Sequence, residues 1–299
     1  TAMLDGPDAP LGRRALDPAR DVVGSRRSLE LTLPADPTKA LLTEVTDVFH
    51  ATVNDVLLTA VALAVQDWSR RRDRPAATVL VDVEGHGREE EAVGGVDLSR
   101  TVGWFTSVHP VRLDPGAVEW PDLWSGGPEA GRALKRIKEQ LAAVPDHGLG
   151  YGLLRYLNPR TGEALSGLPV PQIGFNHLGR FGTPTGSGDW APAYEIGGFT
   201  GGADPGLPLA HALEVNTLVR EGEGAEPTLV AEWSWAAELF TAAEVEDLGA
   251  TWFRVLRALA DHARRPESGG HSPSDIPLVS LSQDEIDRLQ EELALEGDL

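Results

Sequence analysis

Two rhythms of apolar residues run along this 299-residue chain, one with a period of two and one near 3.6. Val79, Val81 and Val83 alternate with Leu80, Asp82 and Glu84, which predicts a strand whose valines pack on one face while Glu84 emerges at the end of the other. Residues 29–33 form a second candidate strand. A helix from about Asp36 carries Leu41, Leu42, Val45, Val48 and Phe49 on one stripe. Another follows at once, capped near Asn54 and running through Leu57, Leu58, Val61 and Val65 to the basic residues 70–72. Residues 128–143 read as a third helix, with Leu134, Ile137 and Leu141 inward and Lys135, Arg136 and Lys138 outward. Residues 209–220 and 228–235 alternate again and are joined by the turn region 221–227, an antiparallel hairpin in which Leu209, His211, Leu213 and Val215 imply one packed face. Thr241 and Glu244 spell a capping box for a long helix bearing Val245, Leu248, Trp252, Val255, Leu256 and Leu259, closed by Arg264, Arg265 and Pro266. A Gly, Ser and Pro linker then leads to a short acidic helix opened by Ser282 with Glu285 at its third position. Strands and helices that interleave in this way predict an α/β fold with a mixed sheet covered by helices.

Composition narrows the setting more than the function. The hydrophobic content of 41% is enough to bury a full core, as one large domain or two packed lobes. With no cysteine there is neither a disulfide framework nor thiolate chemistry. The formal net charge of −20 argues against a nucleic-acid partner, because a phosphate backbone demands a basic face. No apolar run approaches the roughly 20 residues that span a bilayer, and no signal-peptide pattern opens the chain, so the expected setting is soluble and cytoplasmic, with no membrane partner. A start at Thr1 suggests a piece of something longer. No metal-ligand spacing is present.

The candidate chemistry lies in four segments. Residues 80–90 read LVDVEGHGREE and residues 100–110 read RTVGWFTSVHP; PDHGLGYG follows at 145–152 and GFNHLGRF at 174–181. From the first run alone, Glu84 reads as a solvated carboxylate paired with His86 or Arg88 on a surface turn. The four ordered segments together resemble the motifs of epimerization domains in nonribosomal peptide synthetases, members of the condensation-domain superfamily. That resemblance implies the second, C-terminal lobe of the two-lobed fold shared with chloramphenicol acetyltransferase, with an active-site tunnel between the lobes.

It also implies a reaction: conversion of a carrier-bound L-aminoacyl or peptidyl thioester to the D form, by removal and return of the Cα proton. The substrate would arrive on the phosphopantetheine arm of a carrier domain, with no cofactor bound by this chain. Glu84 would be the base or one of two acid/base groups, with Asn176 and His177 beside it in the tunnel; the family usually has tyrosine where His177 stands. Trp104, Phe105, Thr106 and Ser107 would line the substrate side. Asp146 and His147 are adjacent in a glycine-rich loop and read as structural. The family's first lobe carries a histidine-histidine-x-x-x-aspartate-glycine motif, whereas the eight histidines here are all single. Half of the active site is therefore expected on a missing N-terminal lobe, and this chain alone is expected to be inactive. The corresponding domain boundaries are an extended connection over 1–28, the lobe over 29–265, and a linker with a short acidic helix over 266–299. Two other functions fit the same lobe: a condensation-type domain that forms peptide bonds, and a non-catalytic docking platform for a carrier domain.

Overall fold

The computed structural model describes residues 4, 10–182, 203–222, 224, 226–279 and 281–297. The chain first lays down β1 (Arg26–Leu33), then α1 (Ala35–Ala40), which passes through a π-helical turn into α2 (Thr46–Phe49), and then α3 (Val53–Arg70). The cap of α3 is Thr52 rather than Asn54: the Asp55 N–H donates to Thr52 Oγ1 at 3.2 Å while the Thr52 N–H donates to the Asp55 carboxylate at 2.7 Å. A reciprocal pair of this kind satisfies two end-of-helix donors at once, which a lone asparagine inside the first turn cannot do.

β2 (Val79–Gly85) and β3 (Ser107–Leu113) form an antiparallel pair, followed by α4 (Trp120–Trp124), α5 (Pro128–Ala142), α6 (Leu149–Gly152) and α7 (Pro159–Ser166). β4 (Ile173–Gly182), β5 (Leu213–Glu221) and β6 (Thr228–Ala236) complete the sheet before α8 (Ala242–Ala263) and α9 (Gln283–Gly297). The six strands lie in the order β1-β6-β5-β4-β2-β3, parallel at β2/β4 and β4/β5 and antiparallel elsewhere. This is the mixed sheet that the sequence predicts, and the 228–236 strand pairs with β5 as the predicted hairpin.

One face of the sheet packs on helices. Val81, Val83, Phe175, Val215, Trp233 and Trp235 meet a layer in which Leu57, Leu63, Trp252 and Leu256 are all buried. Trp252 stands edge-on to Trp233 with ring centroids 5.8 Å apart, and its indole N–H donates to the Leu57 carbonyl at 3.2 Å, so α8, α3 and β6 are tied at one point. The Thr241–Glu244 capping box that opens α8 is formed as predicted.

The α5 surface departs from its prediction. Lys138, expected outward, is only 6% exposed and donates to Asp275 at 2.6 Å and to the Phe49 carbonyl at 3.0 Å. Residues after 266 cover it: Asp275 supplies the charge, Ile286 of α9 is buried, and Lys135 reaches Asp287. Among the described residues no single helix is long and apolar enough to cross a membrane.

Candidate active site

Glu84 sits near the end of β2, opposite Val108. Alternation turns Val79, Val81 and Val83 into the helix-packed face and Asp82 and Glu84 toward the other, as the sequence predicts. The residues after Glu84 do not neutralise it. His86 Nδ1 accepts the Arg88 N–H at 3.0 Å and its other nitrogen lies 3.8 Å from Glu89. Arg88 donates to the carbonyls of Leu98 and Thr101 and stacks over the Phe105 ring at 4.3 Å. Glu84 is left half-buried, with no hydrogen bond or ion pair to a described residue. Burial, and secondarily the charge of Glu214, push its carboxyl above the usual range.

Arg88 explains why the two N-terminal motifs occur together. Its guanidinium fastens the EGHGRE turn to the TVGWF segment at Thr101 and Phe105 and to Leu98 just before it, and Gly87, in the left-handed region at φ +67°, lets the backbone pass where a Cβ would lie 1.6 Å from the Phe105 carbonyl oxygen. Phe105 is thus a platform for Arg88. Trp104 is 89% exposed, Thr106 is half-buried, and Ser107 lies opposite Gly85, whose missing Cβ leaves room for its hydroxyl.

β2 and β4 are parallel and in register at Val83 and Phe175, and Asn176 pairs across to Asn216 of β5. One residue further along, Glu84 and Asn176 therefore share a face on neighbouring strands. His177 does not join them. It shares the face of Phe175, and its Nδ1 lies 2.9 Å from the hydroxyl of fully buried Thr217. Burial pulls its imidazole below the ordinary range. Just past His177 the pairing slips by one residue around Gly179, at φ +87°, a bulge that twists the strand end. The expected trio is thus two residues on one face and one on the other, because adjacent strand residues point apart.

The PDHG loop runs through three successive left-handed residues, Asp146, His147 and Gly148. Gly148 presses on buried His109, whose ring would lie 2.1 Å from a Cβ there, so this loop packs against β3 and is structural, as its sequence suggests.

A second group on the Glu84 face was not apparent from local pattern. His211 was expected on the packed side of a strand beginning at 209; the strand begins at Leu213, and His211 instead turns across the sheet. Its Nε2–H donates to Asp82 at 2.9 Å, and its Nδ1 faces Glu214 at 3.5 Å. Burial alone would lower this imidazole, but the hydrogen bond and charge of Asp82, with Glu214, push it up to about 9. Glu214 is drawn below the carboxylate range chiefly by His211. The sequence signals were an aspartate in a valine-rich strand and Gly174 inside another, where a glycine often marks close approach. Among the described residues, no three His, Asp or Glu side chains are grouped to hold a metal ion.

Similarity to known proteins follows the same lines. The chain is 38% identical over 274 residues to a linear gramicidin synthase protein of Brevibacillus parabrevis, covering 90% of this chain and 5% of that protein. The epimerization domain from the third module of tyrocidine synthetase B superposes with a TM-score of 0.66 at 27% identity, over 87% of this chain and 52% of that one. The X-domain from teicoplanin biosynthesis shares the fold, at a TM-score of 0.53 and 19% identity over 90% of this chain and 54% of that chain. The chain therefore spans about half of these solved structures and a small fraction of the synthase. A family profile described as Condensation domain matches residues 4–275, and with the fold and the motif-bearing strand ends described above the chain belongs to the condensation-domain family.

Proposed function

We propose that this chain supplies the glutamate side of an epimerization site, in which Glu84 removes or returns the Cα proton of an aminoacyl or peptidyl thioester on the phosphopantetheine arm of a carrier domain. The observation that carries this reading is the state of Glu84: a half-buried carboxylate at a strand end, unpaired among the described residues, with its proton affinity raised by burial and by Glu214. A base for a weakly acidic Cα needs that environment. The Cα–H bond breaks, the proton passes to a Glu84 oxygen, and the electron pair delocalises into the thioester carbonyl as an enolate. Protonation on the opposite face then restores Cα with inverted configuration. Asn176, on the same face, can donate a hydrogen bond to the developing oxyanion. The opposite proton is assigned to a first lobe bearing the paired-histidine motif, which this sequence lacks. Residues 29–265 are then the second lobe, with Trp104 to Ser107 on the substrate side, 1–28 leading in, and 266–299 following. The likeness to the tyrocidine synthetase epimerization domain supports this choice over peptide-bond formation.

The test incubates the chain, with and without a separately supplied first lobe, with a carrier domain loaded with an L-aminoacyl thioester, and resolves the released amino acid on a chiral column. D-product is expected only with both lobes. Glu84→Gln should lower both D-product formation and solvent-deuterium exchange at Cα by about 10² to 10⁴-fold. Near-normal exchange in that variant would move the base elsewhere, and a peptide bond as the product would make the domain a condensation enzyme.

A further inference from the structure

The polar face of the sheet carries two successive rows of side chains. In one row Asp82, Gly174, Glu214 and Ser234 pair across β2, β4, β5 and β6; in the next are Glu84, Asn176, Asn216 and Glu232. Three carboxylates, Asp82, Glu84 and Glu214, thus stand within two pleats of one another, half-buried, where like charges repel strongly. The imidazole of His211 lies over Gly174, in the middle of the first row. A Cβ on that glycine would lie 2.6 Å from Nδ1, so the ring occupies the space that the missing side chain leaves. Each ring nitrogen faces a carboxylate, Nε2 toward Asp82 at 2.9 Å and Nδ1 toward Glu214 at 3.5 Å, and the His211 side chain is 14% exposed. Only Nε2 makes a hydrogen bond, to Asp82, but a half-buried ring flanked by two carboxylates is favoured as the imidazolium, whose charge both attract.

We propose that His211 is a positioning residue of the Glu84 site, a cation bridging Asp82 and Glu214 so that Glu84 remains the one unpaired carboxylate of the three. The proposal rests on the reading of Glu84 as the acid/base group and adds the residue that sets its field. The bridged trio carries a net charge of −1 rather than −2, so it raises the proton affinity of Glu84 less than the two carboxylates would without the cation. Around the ring stand Asp82 from β2 and Glu214 from β5, and Glu84 lies one row further along in the field of Glu214. Ser234 of β6 and Arg26 of β1 act on Glu214, and Tyr151 of α6 lies in the field of Asp82.

The test follows the carboxyl carbon of Glu84, assigned with Glu84→Gln, and the imidazole of His211 by carbon-13 NMR over a pH titration of this chain. In the wild type the His211 midpoint should fall near 9. His211→Gln removes the cation, and Gly174→Ala displaces the ring without changing any charge. Both should move the Glu84 midpoint upward, by about one pH unit for His211→Gln, and with the first lobe supplied the acid limb of the epimerization rate should move with it. A His211 midpoint near 6.5, or a Glu84 midpoint unmoved in both variants, would overturn the bridge. If the bridge is found but Glu84→Gln keeps its exchange activity, the bridge stands and the assignment of Glu84 as base fails; the two readings are separated.

Discussion

Across four strands, one face of the sheet presents Val81, Ile173, Leu213 and Trp235 side by side; a single residue along each strand, the other face presents Asp82, Gly174, Glu214 and Ser234. The backbone is shared, so the difference is entirely what lies above each row. Helices α3 and α8 cover the first with apolar side chains, and apolar residues of similar volume can replace one another there at modest cost. The second row has no such freedom. Its carboxylates and imidazole are held by charge and by a glycine, and each identity matters individually. The same contrast separates Glu84 and Asn176 from His177, which are neighbours in motif and in space but stand on opposite faces.

If the packed face supplies stability and the polar face chemistry, variants should separate the two. The largest effect is expected from Trp252→Ala, which empties a fully buried site between α8, α3 and β6. It should cost about 3 to 5 kcal/mol in denaturant unfolding, while the Glu84 titration of the molecules still folded stays unchanged. A cost under about 1 kcal/mol would mean that α8 is not the clasp described above. Next comes Gly87→Ala, which places a Cβ against the Phe105 carbonyl at a left-handed position. A loss of about 1 to 3 kcal/mol is expected, with faster amide exchange over residues 98–105, the segment that Arg88 fastens. Unchanged exchange there would uncouple the two motifs. Thr52→Ala should cost about 1 kcal/mol, while Asn54→Ala should not remove a cap.

Glu84→Gln should show the smallest change in stability, and of the opposite sign. Folding raises this carboxyl above its ordinary value of 4.5, so the folded chain holds a proton that the unfolded chain has already released, and its ionised form opposes folding at neutral pH. The glutamine variant should therefore melt slightly above the wild type at pH 7, with the gap closing below pH 4.5. Equal melting temperatures at both pH values would place Glu84 in full contact with water. His211 runs the other way: its stabilisation is complete below about 6.5 and is lost as pH rises through about 9.

Much of this was legible in the sequence because it depends on short-range rules. The period of two over residues 79–84, the capping box at Thr241 and the apolar stripe of α8 are set by residues within four positions of one another, and all formed as read. So did the sidedness of Glu84. At α3 the local rule itself was misread: the reciprocal Thr52–Asp55 pair, three residues apart, makes the cap in place of Asn54. Tertiary context decided Lys138, buried once Asp275 had folded back over α5. Only the tertiary structure could set Asn176 beside Glu84, or bring His211 to Asp82 across 129 positions. Parallel neighbours such as β2, β4 and β5 are joined by long crossovers, so their register depends on how the whole sheet packs on its helices rather than on any local spacing. The motif named the residues at the strand ends; the pleat decided that His177 turns away and that a histidine outside every motif takes its place on the polar face.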